Sequence, residues 1–467
     1  MTHPADLSAA ELSAGYARAT LSPVEVTRAV LERIAACEPV LNAMYLVHRE
    51  SALADARAAE ARWRAGSPLS PLDGVPVTVK ENIHTRGDPA PIGTAAADAV
   101  PMPRDAPPAA RLREAGCVLL GKTTMPDLGM LSAGVSSVHG ITRNPWNTAC
   151  NTSGSSSGAG AAAAAGYGPL HVGTDIGGSI RLPAAHGGIF GLKPSLGRVP
   201  IDPPFLGRVA GPMTRSVRDA AMLLSVLARP DVRDHMSLPP QPTDYAAGLE
   251  GLPVRGLRIG WLADMGVGLP LDPQVRQASA DAAAALAAAG AQVSPIAPWL
   301  SAEMLDGICT FLEARSYNDI ADMPAERRAL VLPFVMRWCT WRAAGFSGRD
   351  VMTGFARLMA MREAAVRAVS AFDFVISPVS PVVSYPAEQP SPGNDATNAL
   401  SHIAYTVAFN FSEQPAASVN WAASAEGMPL GVQVVGQRFD DLGVLRLSRV
   451  LEQLRPAQRL WPLPVVA

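Results

Sequence analysis

Gly173-Thr174-Asp175-Ile176-Gly177-Gly178-Ser179-Ile180-Arg181-Leu182-Pro183, continuing through Gly191-Leu192-Lys193-Pro194, is the stretch on which the reading of this chain turns. A short strand over 170–172 leads into it. Ile176, Gly177 and Gly178 then offer successive backbone N–H groups, and the two glycines let the main chain bend close to a carbonyl, as an oxyanion hole requires. A Ser/Gly-rich run, Ser153-Gly154-Ser155-Ser156-Ser157-Gly158, precedes it. Further upstream, Val77-Thr78-Val79-Lys80-Glu81-Asn82 delivers a lysine at the end of an apolar run. Of 39 basic residues only Lys80, Lys122 and Lys193 are lysines. Arginine stays protonated, whereas a buried lysine can lose its proton and act as a base. One lysine and two serines together make a hydrolytic centre that needs neither histidine nor metal.

The bulk properties narrow the class. At 467 residues the chain can bury a large core, and its size admits two or three domains or one large α/β domain. A hydrophobic content of 48% with 17% charged residues describes a globular protein. A net charge of −2 supplies no basic surface, so nucleic acid is not an expected partner. The five cysteines are widely spaced with no C-x-x-C, which argues against a disulfide framework or zinc site and suits a reducing compartment. No signal peptide and no run of 18 apolar residues is legible, so the expectation is a cytoplasmic protein without a membrane partner.

Helices and strands alternate along the chain, which points to α/β. Residues 5–65 read as helical, with Ser22-Pro23 opening one helix and 49–64 forming another. Residues 74–79 read as the strand that ends at Lys80. Further helices are expected over 109–115, 159–165, 216–227, 275–288 and 444–454, and strands over 117–120, 257–262, 374–376, 416–420 and 431–435. The segment 300–370 is mostly helical and carries Phe311, Tyr317, Phe334, Trp338, Trp341 and Phe346. Residues 380–398, rich in Pro, Ser and Asn, read as a surface loop.

Two motifs point elsewhere. Gly116-Cys117-Val118-Leu119-Leu120-Gly121-Lys122-Thr123 fits G-x-x-x-x-G-K-[ST]. A phosphate-binding loop needs small residues between its glycines, and Val-Leu-Leu is itself strand-like, so Lys122 reads as structural. Gly154-Ser155-Ser156-Ser157-Gly158 contains G-x-S-x-G, but residues 144–152 make a poor strand to precede a nucleophile elbow; His402 lies late enough to be a partner.

Taken in order, the motifs resemble the amidase signature family. The matching stretches run from Leu72 to Asn82, then Leu120-Gly121-Lys122-Thr123, Thr142-Arg143-Asn144-Pro145-Trp146, Ser153 to Gly158, Gly173 to Pro183 and Gly191 to Pro194. Gln414-Pro415-Ala416 and Leu430 to Gly436 complete them. The resemblance implies a large mixed twisted β-sheet covered by helices on both faces, one domain over 1–467, a signature core over about 70–230 and a helical, substrate-pocket insertion over about 300–370. It also implies a Ser–cis-Ser–Lys triad, with Lys80 as the lysine and Ser179 as the nucleophile. Counting without a gap from Asn144-Pro145-Trp146 forward and from Ser179 backward places the bridging serine at Ser155; Ser156 would need a one-residue deletion in the alanine helix. The family has two glycines before this serine, where this chain has Ser153-Gly154, and a glycine after the serine pair, where it has Ser157. The oxyanion donors carried over are Ile176, Gly177 and Gly178, with Asp175, Arg181 and Ser156 in support. Lys193 reads as structural.

The chemistry fits these residue types. A lysine with pKa near ~10.4 is neutral in about one molecule in 2,500 at pH 7, a cost of roughly 4.6 kcal/mol, and burial lowers it by disfavouring the charged form. Ser155 can take a proton from Ser179 and pass its own to Lys80, and the return path protonates the leaving amine. The family's acyl-pocket loop is here Asp127 to Gly134; Gly129, Met130 and Leu131 are its candidate substrate contacts, and no cation stands in the loop to grip a carboxylate. The expectation is therefore a serine amidohydrolase acting on neutral, apolar amides or anilides, or on carbamates or esters, as a monomer or homodimer without cofactor or metal. The alternatives are the glutaminase-like subunit of a tRNA-dependent amidotransferase, a non-catalytic binding protein on this fold, and a P-loop nucleotide enzyme.

Overall fold

The run Val75-Pro76-Val77-Thr78-Val79 is apolar or β-branched throughout, the pattern of a strand buried on both faces. It forms strand Pro76–Lys80, entirely buried, in a computed structural model that describes residues 3–464. Strands Val118–Thr123 and Leu170–Asp175 flank it in parallel. An 11-stranded mixed sheet extends from this centre. Beyond Val118–Thr123 the edge strand Met44–Val47 runs antiparallel. Beyond Leu170–Asp175 come, in order, Val209–Thr214, Phe190–Lys193, Ala416–Ala423, Pro429–Gly436, Phe374–Pro378, Arg258–Trp261 and Gln292–Pro295. The junctions are antiparallel as far as Phe374–Pro378 and parallel for the last two strands.

Side chains alternate across a strand, so the faces can be read from where neighbours go. Phe374 and Ile376 join one apolar cluster, with Val432, Val434, Ala417 and Val419. Val375, Val435 and Ala416 join another. The first cluster is covered by helices Ala9–Ala17, Pro23–Leu41, Arg49–Arg64, Val217–Leu227, Pro273–Ala288 and Asp441–Leu454. The second is covered by Ala302–Ala321, Pro333–Thr340, Gly348–Ser370 and the turns over 401–411. The sheet is thus covered on both faces, as expected. Helices Ser157–Ala165 and Arg181–Gly187 meet through small residues: Ala159, Ala163 and Ala164 lie with Ile180 and Ala184.

Several elements differ from the sequence reading. The segment 5–65 is not wholly helical. Asn42, at φ 51°, ends helix Pro23–Leu41 in a left-handed cap, and Met44–Val47 then pairs at the sheet edge. Residues 147–151, read as a poor strand, do form strand Asn147–Asn151, paired with Arg143–Asn144 outside the main sheet. Strands Phe190–Lys193, Val209–Thr214 and Gln292–Pro295 carry no strand signature in the sequence. The loop over 380–398 is only partly on the surface: Tyr385 and Ala387 are buried, because its backbone bonds to that of Ala149 and Asn151. No helix among the described residues is long and apolar enough to cross a membrane.

Candidate active site

Lys80 is the last residue of strand Pro76–Lys80, and Thr174 and Asp175 end the neighbouring parallel strand Leu170–Asp175. Both strands therefore deliver their final side chains to the same edge of the sheet. Lys80 is fully buried. Its Nζ donates to Ser155 Oγ (2.7 Å) and to Thr174 Oγ1 (3.0 Å), and Asn82 Nδ2 donates to the same Thr174 hydroxyl (3.1 Å). Burial brings Lys80 down from 10.5 to about 7, against the pull of Asp175 and Glu81, with Arg208 adding to the lowering. A lysine brought down this far supplies the neutral amine near neutral pH, which an ordinary lysine scarcely does. In that form the amine has a lone pair, and the same contact lets the Ser155 hydroxyl donate to it.

The three serines in a row divide their work. The Gly154–Ser155 peptide is cis. Ser156 Oγ donates to Thr174 O (3.1 Å) and accepts from Thr174 N (3.2 Å), so its hydroxyl is occupied by backbone. Ser156 N donates to Ser179 O (3.2 Å), which ties the start of helix Ser157–Ala165 to the turn carrying Ser179. Ser155, not Ser156, is thus the serine at Lys80. Ser153 sits at φ 59°, in the region glycine favours, and its Oγ donates to Ser132 O (3.3 Å) while its N–H donates to Asn151 Oδ1 (2.9 Å).

The turn Ile176-Gly177-Gly178-Ser179 is held from behind. Asp175 accepts from Gly178 N (2.8 Å), Ile180 N (3.1 Å), Arg181 Nε (3.1 Å) and Nη2 (3.0 Å), and Asn410 Nδ2 (2.8 Å). Arg181 Nη1 in turn donates to Thr406 O (2.9 Å) and Gln433 Oε1 (2.8 Å), and Nη2 to Asn410 Oδ1 (2.6 Å). Burial alone would raise Asp175, but the Arg181 charge and these hydrogen bonds hold it well below the usual carboxylate range. Gly178 lies at φ +128°, and a Cβ there would meet Thr406 Oγ1 and Leu182 Cδ1 at 2.7 Å. The network also amends the expected donor set. Gly178 N–H is committed to Asp175 and is not free for a substrate oxygen, whereas the N–H groups of Ile176, Gly177 and Ser179 donate to no described residue.

Ser179 and Ile176 are partly exposed, and both line a cleft together with Gly177, Gly129, Met130, Leu131 and Ser132. Gly129, at φ +67°, brings its loop so close that a Cβ would stand 3.7 Å from Ser155 Oγ. Leu312, Arg315, Ser316 and Trp338 close the cleft from the helical segment, with Leu400 and Ile403 beside them. Of the aromatic residues singled out in that segment, Trp338 reaches the cleft. Phe311 is instead enclosed by Phe205, Phe355 and Phe411, and Trp341 and Phe346 lie under the Arg342 guanidinium.

Sequence reasoning missed the part played by Thr174, although it stands inside the 173–183 stretch, and missed Asn410, which carries no local signature. It also missed Arg315: the loop over 127–134 has no cation, but the facing helix supplies one. The other lysines are elsewhere. Lys122 lies within strand Val118–Thr123, with Nζ donating to Ile83 O and Thr85 Oγ1. That strand runs straight through the would-be phosphate loop, and a Cβ on Gly121 would overlap Leu46 O, so no N–H cradle forms. Lys193 Nζ donates to Pro194 O (3.0 Å) in the core. His402 is buried near His186 and is held neutral, down at about 3, by burial first and by that neighbour; it makes no hydrogen bond to the serine run.

Comparison with known proteins finds matches along nearly the whole chain. The amidase family model matches residues 25–445. An acylamidase of Rhodococcus erythropolis is 34% identical over 464 residues, covering 96% of each chain. The A component of the glutamyl-tRNA(Gln) amidotransferase of Myxococcus xanthus is 34% identical over 486 residues, covering 96% of this chain and 97% of its own. Among solved structures, a bacterial aryl acylamidase of the amidase signature family superposes with a TM-score of 0.89 at 28% identity, covering 96% of each chain. A 6-aminohexanoate cyclic dimer hydrolase does so at 0.86 and 29%, covering 98% of this chain and 99% of its own. With a buried lysine against a serine at the edge of such a sheet, and a family match spanning the strands that place them, this chain belongs to the amidase signature family and is a hydrolase of carbon–nitrogen bonds.

Proposed function

We propose that the chain is a self-sufficient serine amidohydrolase working through an acyl-enzyme on Ser179. Neutral Lys80 takes the Ser155 proton while Ser155 takes that of Ser179, and Ser179 Oγ attacks the amide carbonyl. The developing oxyanion lies against the N–H groups of Ile176 and Gly177. The proton returns through Ser155 to the leaving amine, which departs as a neutral amine, and water then releases the acyl group by the same relay. The observation that carries this reading is the fully buried Lys80 amine 2.7 Å from Ser155 Oγ, brought down to about 7. Gly129, Met130, Leu131, Leu312 and Trp338 favour a largely apolar acyl or aryl group; amides and anilides fit first, and carbamates and esters share the same carbonyl chemistry.

The near-full-length match to an amidotransferase component supports a second reading, a glutaminase-like protein that needs partners. Release of p-nitroaniline from a panel of acyl p-nitroanilides, by the purified chain beside its Ser179→Ala variant, separates the two. Turnover lost in the variant is the expected result. Turnover that survives it refutes Ser179 as nucleophile. Inactivity toward the panel, with glutamine hydrolysis appearing once partners are added, establishes the second reading.

A further inference from the structure

The cleft beside Ser179 holds one charged side chain that the relay does not use. Arg315 leaves helix Ala302–Ala321 and lines the cleft with Ser179, Ile176, Leu312 and Trp338; every other lining residue is neutral. Its guanidinium lies 4.7 Å from the centroid of the Phe205 ring and 3.6 Å from Asp319 Oδ2. The latter distance is beyond hydrogen-bond reach, so the Asp319 contact is a loose ion pair along one helix. A guanidinium carries five N–H donors, and that of Arg315 donates to no described residue. It is 27% exposed, and Asp319, at 39%, faces solvent more than it does.

Further charges stand behind it, outside the lining of the cleft. Arg208 is near enough to be repelled by it, and burial together with Arg315 brings Arg208 down to about 10. Asp319 is the carboxylate that feels both arginines, and burial raises it against their pull. Asp234 also draws on Arg208. Arg315 is thus the one charge in the lining of the cleft, and its ion pair among the described residues is the loose contact to Asp319.

We propose that Arg315 is a specificity-determining residue that receives a carboxylate carried by the substrate away from the scissile bond. The inference rests on the reading of Ser179 as the reacting centre. A guanidinium matches a carboxylate with two parallel N–H···O bonds, and the Phe205 ring supports one side of it while its N–H groups stay available. The apolar walls at Leu312, Trp338 and Ile403 suit a hydrocarbon chain or ring that joins the amide to that carboxylate. The substrate is then apolar in its body and anionic at its far end, rather than neutral throughout.

The test compares the mono-p-nitroanilides of succinate, glutarate and adipate with butyryl, valeryl and hexanoyl p-nitroanilide, and 4-acetamidobenzoate with acetanilide for the amine side. The wild type is expected to prefer the carboxylate in at least one pair. Arg315→Met should lower that ratio of kcat/KM on the order of 10- to 100-fold, and Arg315→Lys should keep part of it, since lysine supplies charge without the fork. A ratio that is the same in wild type and Arg315→Met, or a preference for the neutral member of every pair, overturns the proposal. Calorimetric binding of the same compounds to Ser179→Ala separates the two failures. Carboxylate-dependent binding that needs Arg315, without turnover by the wild type, keeps the role of Arg315 and removes the reading of a self-sufficient amidohydrolase reacting at Ser179. Turnover without carboxylate dependence does the reverse.

Discussion

At the scale of single residues, the proposed relay depends on keeping one amine uncharged. Lys80 is buried among neutral hydroxyls, and burial outweighs the carboxylates of Asp175 and Glu81 that would keep it protonated. In the proposed relay its neutral form is the base, so the sign follows: kcat/KM should fall about tenfold per pH unit below about 7 and level off above it. A pH profile on a p-nitroanilide whose own charge does not change checks this, and a flat profile between pH 5 and 8 would falsify it. Lys80→Arg should lose on the order of 10²–10⁴-fold in kcat at any pH, because a guanidinium cannot give up its proton. The neighbouring serines allow a sharper contrast. Ser155→Ala removes the bridge and should lose a comparable factor in kcat. Ser156→Ala leaves the Lys80 contact intact and unties two bonds to Thr174 backbone, so its main cost should be about 1–2 kcal/mol of stability. Equal kinetic losses in the two variants, with no difference in denaturant midpoint, would mean that the two serines do not divide the work in this way.

At the scale of elements, the turn from Asp175 to Arg181 works because both of its charges are saturated by partners far along the chain. Asn410 and Gln433 come from other segments and close the ring of hydrogen bonds. Asp175→Asn would leave Arg181 buried without its counter-charge, at a cost of about 3–5 kcal/mol, read as a lower urea midpoint together with lost turnover. A stability within about 1 kcal/mol of wild type would mean the pair is not what holds the turn. The folded-state pKa of Asp175 is depressed below its ordinary 3.8, so the pair's contribution is present above about pH 4 and fades only in stronger acid. The same long-range closure explains what the sequence did and did not reveal. Lys80, Ser155 and Ser179 sit in local motifs with characteristic neighbours. Asn410, Thr406 and Arg315 sit in unremarkable helical or turn sequence and gain their meaning only from what faces them. Strand Val209–Thr214 was illegible because Gly211 and Pro212 argue against a central strand, yet it pairs along its whole length with Leu170–Asp175. Met44–Val47 was hidden because only its partner Val118–Thr123 makes it a strand.

At the scale of the whole molecule, the sheet separates two bodies with different duties. The centre lies where Lys80 and Asp175 emerge from the carboxyl ends of parallel strands, the usual position for a binding crevice in α/β proteins. The helices over the first cluster contribute none of the residues that line the cleft, whereas Leu312, Arg315, Ser316 and Trp338 of the opposite cover line it. That cover also shows apolar surface, with Met352 64% and Met359 43% exposed along helix Gly348–Ser370. Segments with more exposed and fewer buried groups open at lower free energy than central strands, so hydrogen exchange should be slowest in Pro76–Lys80, Leu170–Asp175 and Pro429–Gly436 and faster over 302–370. An alkyl fluorophosphonate, which bonds to an activated serine hydroxyl, provides the functional half of the test. Reaction at Ser179 fills the cleft and adds contacts to Leu312, Trp338 and Ile403, so exchange over 302–340 and 400–411 should slow while that of helices Ala9–Ala17 and Pro23–Leu41 changes little. Slowing of equal size on both sides of the sheet would mean that the two covers respond as one unit, and that the helical segment is not a separately yielding wall of the acyl pocket.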